Sequence, residues 1–286
     1  MPLRDLPGPV FYVAAALVGL AWSAVATAAL RRLPRGLPLL RPGPTCPRCE
    51  AKLGGLDLVP IVSFLVGRGR ARCCGARLDL SPLLLELSCV AAAIGLVPVT
   101  LRSLEPWSPL HRAAFVYLAS AALAHALLVA AFIDARHAYL PDAITLGGAL
   151  LGVCTAGLRG QDLHASLVGA CVGFFVTALP FVYGPRMFGA RPGLGLGDAK
   201  LMILAGAWLG ARGALVALGL GAVQGLLAFG IARAVGRKIL VPEEVRDEVG
   251  GQPALPFGPF LVLGVLERLF LGPALDAFAG VGWPPW

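Results

Sequence analysis

Residues 193–210 read GLGLGDAKLMILAGAWLG. Alternating glycines lead into Asp198, Lys200 follows, and an apolar run begins. Such a run seeks a nonpolar surround, whereas an isolated carboxylate is costly in one. An acid at the mouth of a hydrophobic helix is therefore either a helix cap or a working group. The choice depends on what the rest of the chain is.

The chain has 286 residues, 57% hydrophobic and 14% charged, with a mean hydropathy of +0.79. Soluble domains carry about 25% charged residues. The apolar residues also fall into long uncharged runs. A hydrocarbon core of about 30 Å takes about 20 residues of helix. Candidate spans are 9–30, 83–101, 113–133, 143–158, 165–183, 199–210, 214–232 and 254–272. The expected fold is all-α: a polytopic membrane protein with about eight transmembrane helices and a cytoplasmic cysteine-containing loop after the first helix. The run 9–30 is longer than a secretory h-region and a basic loop follows it, so it reads as a retained span. The expected division is 1–101, holding the first two spans and the loop, and 102–286, holding the remainder.

Arginine and lysine set the orientation. Loops 31–82, 134–142, 184–200 and 233–253 lie on one side of this arrangement and hold 18 of the 24 basic residues. Cytoplasmic loops carry the positive excess, so this side is expected in the cytoplasm and both termini outside. The net charge of +8 is then a matter of topology, and no nucleic-acid partner is expected. Membrane lipid is.

The same assignment places two aspartates on one side. Asp134 ends the third span, in FIDARHAYLPD (132–142), and Asp198 opens the sixth. Asp198 suits a helix N-terminus, and so does Asp142 after Pro141. Asp134 follows its helix, where a negative charge opposes the dipole, so a purely structural role suits it less. Counted along straight helices, Asp198 lies ~21 Å inward from Arg212 and Asp134 ~33 Å inward from Arg112, a difference of one or two turns. Two carboxyls held close cannot both ionise cheaply, so one keeps a proton. The ionised one can draw a proton from water and the other can donate one, as amide hydrolysis requires. Lys200 and Arg136 sit two residues from these acids, a helical spacing that points the side chains apart. Glu86 falls one turn inside the second span, and His125 mid-span reads as a hydrogen-bonded core residue.

These motifs resemble the type IV prepilin peptidases, membrane aspartic proteases of the GxGD type. FIDARHAYLPD and GLGLGDAKL carry the resemblance. SAVATAALRRLP (23–34), LVPIVSFLVGRGRARCCGARL (58–78) and PFGPFLVLG (256–264) extend it over nearly the whole chain. The resemblance implies that Asp134 and Asp198 are the catalytic pair. It implies a prepilin or type II secretion pseudopilin as substrate, cut after the glycine of its basic leader, in the bacterial inner membrane with the site facing the cytoplasm. It also implies N-methylation of the new terminus from S-adenosylmethionine. Thr27 stands where the family has Asn.

Seven cysteines are present. Cys89, Cys154 and Cys171 lie in spans and read as small buried residues. Cys46, Cys49, Cys73 and Cys74 lie in the basic loop, on the reducing side, where disulfides are not expected. Their grouping suggests a structural zinc site. The family pattern is two C-x-x-C pairs, and here Ala71 occupies the third position while Cys73 adjoins Cys74. Four-thiolate zinc, a degenerate site and no site all remain open at this point.

Two other functions fit part of the pattern. Glycine kinks and intramembrane acids suit an ion-coupled transporter. A noncatalytic scaffold for pili or secretion would not need both aspartates. On the expected topology, a membrane-impermeant thiol reagent labels Cys46 or Cys49 in inverted vesicles and not in sealed cells. Labelling of sealed cells would reverse the orientation.

Overall fold

A computed structural model describes residues 8–39, 43, 45–46, 48–54, 57, 61–188, 195–236 and 256–278. Gly193, Leu194 and most of the basic loop 233–253 lie outside the described residues. The helices are α1 (Gly8–Arg32), α2 (Val62–Val66), α3 (Leu80–Ser103), α4 (Leu110–His137), α5 (Asp142–Cys154), α6 (Leu163–Phe188), α7 (Leu196–Ala234) and α8 (Gly258–Phe278). Among the described residues there is no strand, only two isolated bridges. Among the described residues, five helices are long and apolar enough to cross a membrane. The protein is an all-α polytopic membrane protein.

The boundaries follow local chemistry. Arg31 and Arg32 close α1, where cations suit the dipole. Arg32 also donates to the carbonyls of Pro38 and Leu39, at 3.0 and 2.8 Å. Asp79 caps α3 by accepting from the Ser81 N–H at 3.2 Å. Two boundaries differ from those expected. Helix α5 stops at Cys154, and a 3₁₀ turn, Gly157–Arg159, takes up the remainder of the expected span. The expected spans 199–210 and 214–232 are one assigned helix, α7, broken at Gly210 with φ 70°. Only glycine enters that region without penalty. Arg212 therefore lies beyond the break, and the straight count from it to Asp198 does not apply.

Two compact units divide the chain at Phe132 and Ile133, inside α4. In the first, α1 packs on α3. The Tyr117 hydroxyl of α4 donates to the Ala93 carbonyl at 2.9 Å. His125 stacks on Trp22, and its ring nitrogens face the carbonyls of Ala121 and Cys89, as a core histidine should. Glu86 is buried and accepts from the Thr27 hydroxyl at 2.9 Å and the Ile61 N–H at 2.7 Å. This acid ties α1, α3 and the end of the cysteine loop together. Ile61 is held at φ 63°, a strained value for a β-branched residue that needs such a fixed partner.

In the second unit α7 is the hub, with α5, α6 and α8 all packed on it. Lipid-solvated helices gain little from apolarity itself, so close backbone approach matters. Gly169 of α6 and Gly206 of α7 meet backbone to backbone, and a Cβ on either would overlap the other. Gly264 of α8 meets the Ala217 carbonyl of α7 in the same way. Cys154 and Cys171, expected to be buried, are exposed; both helices turn those positions away from the hub.

Gly206→Leu is expected to lower stability by about 1–3 kcal/mol or more, since overpacking forces backbone shifts. Gly147→Ala, with open space around it, should be neutral. Thermal unfolding of the two variants in detergent checks this.

Candidate active site

Both motif aspartates belong to the second unit, and both are buried, at 7% exposure for Asp134 and 8% for Asp198. They lie close enough for their charges to interact. The structure thus brings the two motifs together and gives their acids similar burial.

Each carboxylate is held by a glycine N–H at the start of a helix. Asp198 sits in the first turn of α7 and accepts from the Gly195 N–H at 2.9 Å. This is the backward half of a capping box, so the acid serves its own helix as well. Asp134 ends α4 and accepts from the Gly258 N–H, the first residue of α8. The α8 N-terminus offsets the unfavourable end of α4. A Cβ at Gly258 would lie 2.5 Å from Asp134 Oδ2, so any side chain there would displace the carboxylate.

Lys200 reaches Asp142 at 2.7 Å, away from Asp198, as the helical spacing requires. Asp142 opens α5, as expected of an acid at a helix N-terminus, while the N-cap position itself is Pro141 and makes no side-chain bond; the Asp142 carboxylate anchors Lys200. Leu140, in the same turn, packs against Gly197, with 3.4 Å between its Cδ1 and a Cβ built there. The α4–α5 turn, with Ala138 at φ 48°, is thereby joined to the start of α7. Gly258 and Leu140 were not singled out from sequence. The one signal for Gly258 is the Gly-Pro pair opening an apolar run, which marks a helix start.

In the first unit, the four loop cysteines converge, with every Sγ within 4.8 Å of the others. Cys49 and Cys73 are 3.4 Å apart, Cys46 and Cys74 3.9 Å. The N–H groups of Cys49 and Arg48 point at Cys46 and draw its thiol down to about 6. The Cys73 thiol, hydrogen-bonded to Cys49 and Cys46, is pushed up to about 12. A divalent metal held by the four sulfurs would displace their protons. The cluster can bind a metal.

The sequence pattern of the type IV leader peptidase family matches residues 121–230, and that of the bacterial peptidase A24 N-terminal domain matches residues 17–99. The chain is 31% identical to a prepilin leader peptidase/N-methyltransferase of Myxococcus xanthus, over 94% of this chain and 92% of the relative. Proteins of the same name from Burkholderia pseudomallei and Dickeya chrysanthemi are each 32% identical. Those matches cover 84% of this chain in both cases, and 71% and 78% of the respective relatives. No solved structure matches. On the strength of relatives aligned nearly end to end, the chain belongs to the type IV leader peptidase family.

Proposed function

We propose that this bacterial inner-membrane protein is an aspartic endopeptidase that removes the leader of a type IV prepilin or type II secretion pseudopilin, cutting after the leader glycine. Asp134 and Asp198 are its catalytic pair, and the site opens to the cytoplasm. One observation supports the residue assignment: the two family motifs, far apart in sequence, each present a buried carboxyl in the same unit, with the Asp198 charge felt at Asp134. That the matched relatives are leader peptidases favours this reading over the transporter and the scaffold. The functional division follows the expected one, with 102–286 as the peptidase part and 1–101 as the accessory part.

The chemistry is that of two acids sharing one proton. The ionised carboxylate takes a proton from water as its oxygen attacks the scissile carbonyl carbon. The protonated carboxyl donates to the carbonyl oxygen, giving a neutral gem-diol. A proton then passes to the leaving nitrogen, the C–N bond breaks, and the pair returns to its starting state. No metal or cofactor takes part. The glycine N–H groups fix both carboxyls while leaving a free oxygen on each for these transfers.

The accessory part carries the cofactor readings. Tetrahedral zinc, with bonds of about 2.3 Å, spaces its sulfurs by about 3.8 Å, and the cysteine cluster fits that. Cys46, Cys49, Cys73 and Cys74 would hold the ion, which when bound would organise the loop. Methyl transfer is proposed as a second activity, resting on the names of the relatives. A cavity beside the loop, lined by Arg31, Asp57 and Arg72 among others, measures about 70 Å³. Small-molecule sites begin near ~300 Å³. It does not fit S-adenosylmethionine.

In liposomes with a prepilin, Asp134→Asn and Asp198→Asn should each lose about 10²- to 10⁴-fold in cleavage, as for any lost acid or base. Asn keeps shape and can still accept the glycine N–H, so it isolates ionisation. Near-normal cleavage by either variant on a mobility-shift gel would remove the pair assignment. Asp142→Asn should be milder.

Gly258→Ala should impair cleavage strongly in a stably inserted protein, because its Cβ presses on Asp134. Unchanged cleavage would contradict the proposed support.

The double variant Cys46→Ser/Cys49→Ser should still cut, though more slowly, while losing more of any methyl transfer. Mass spectrometry of the mature product separates the two; complete loss of cutting would put the loop in the protease site.

A further inference from the structure

The cysteine loop contains the same turn twice. Thr45 bridges Lys52, and Arg70 bridges Arg77. In the first turn the Cys46 N–H donates to the Ala51 carbonyl at 2.9 Å and the Glu50 N–H to the Cys46 carbonyl at 3.0 Å. In the second the Ala71 N–H donates to the Ala76 carbonyl at 2.8 Å and the Gly75 N–H to the Ala71 carbonyl at 2.7 Å. Glu50 and Gly75 take the same left-handed conformation, with φ 58° and 68°. The two eight-residue turns therefore correspond in their bridges, backbone hydrogen bonds and left-handed residue.

That equivalence pairs Cys49 with Cys74. It pairs Cys46 with Ala71, and Arg48 with Cys73. Cys46 and Ala71 are both buried, at 2% and 8% exposure, so the leading position faces inward in both turns. In the second turn it carries no sulfur. The missing thiol comes from two residues later, and it still arrives within 4.8 Å of the other three.

We propose that Cys73 is a relocated ligand of a four-thiolate zinc site, supplying from the Arg48-equivalent position the sulfur that position 71 would supply in a symmetric pair of turns. This rests on the metal reading of the loop given above. The chemistry requires four deprotonated sulfurs at tetrahedral spacing, and soft thiolates select zinc over harder cations. The relocation has a consequence of its own. Cys46 is buried, whereas Cys49, Cys73 and Cys74 are exposed, so the metal is shielded at the leading position of the first turn and lacks that shielding in the second, where buried position 71 carries no sulfur. Returning the ligand to position 71 should close that side and slow metal release to a chelator.

The test uses the full-length protein in detergent, with zinc content by mass spectrometry and Co²⁺ loading as the spectroscopic probe. Thiolate-to-cobalt charge-transfer intensity reports the number of sulfur ligands. Wild type should bind one metal with a four-thiolate spectrum. Cys73→Ser should lose about a quarter of the charge-transfer intensity, one ligand of four. Ala71→Cys/Cys73→Ser should regain it and release metal more slowly than wild type. Cys154→Ser, in the other unit and outside the cysteine cluster, should change nothing and guards against adventitious thiol binding. A full four-thiolate spectrum in Cys73→Ser would overturn the proposal while leaving a metal site. Failure of Ala71→Cys to restore a ligand lost in Cys73→Ser would overturn the positional equivalence. A wild-type chain that takes up neither zinc nor Co²⁺ would overturn the metal reading itself, and this inference with it.

Discussion

A carboxylate buried at a membrane boundary has to be given hydrogen-bond donors, because lipid offers none. Both motif aspartates meet this demand in the same way, through the N–H of a glycine at the start of a helix, Gly195 for Asp198 and Gly258 for Asp134. Much of the second unit follows from that constraint. Helices α7 and α8 must begin where the acids are. They must also keep their spacing, which the contacts of Gly264 with the Ala217 carbonyl and of Gly221 with the Phe260 carbonyl fix. A helix start brings free N–H groups and a favourable dipole end together. The glycines allow the approach, since a Cβ at Gly258 would occupy the place of the Asp134 carboxylate.

The spans were legible in the sequence because uncharged runs have one good explanation. The break inside α7 was read a little late. Arg212 marks the polar boundary, but the backbone turns at Gly210, a glycine in an apolar stretch rich in glycine. The aspartates were legible because acids stand out in apolar surroundings. Their supports were not. Gly258 meets Asp134 only after the helices pack, and one sequence shows no such long-range pairing. Asp142 was legible as the start of α5, but its ion pair with Lys200 needs three dimensions to see.

The cysteine loop is an instructive difficulty. Spacing alone left convergence open, since Cys73 adjoins Cys74 where the family has a C-x-x-C pair. The backbone resolves it by repeating a turn, with Glu50 standing in the conformation that Gly75 adopts in the second copy. The repetition is invisible as a residue pattern because only one cysteine occupies equivalent positions in the two copies. In the same unit, Glu86 shows that an intramembrane acid can be structural. Its partners Thr27 and Ile61 hold a helix and a strained loop end, so a buried acid does not by itself identify a catalytic group. What distinguishes Asp134 is a second buried acid, Asp198, near enough for its charge to act on it.

The central claim is that these two carboxyls split one task, one ionised and one protonated. The pH dependence of prepilin cleavage by the wild-type protein in liposomes tests it most directly. A pair that shares a proton gives a bell-shaped profile, because activity fails both when the base is protonated and when the acid is deprotonated. The account predicts that bell, with two limbs belonging to the pair. A rate that rises to a plateau through a single titration, and stays there, would contradict it.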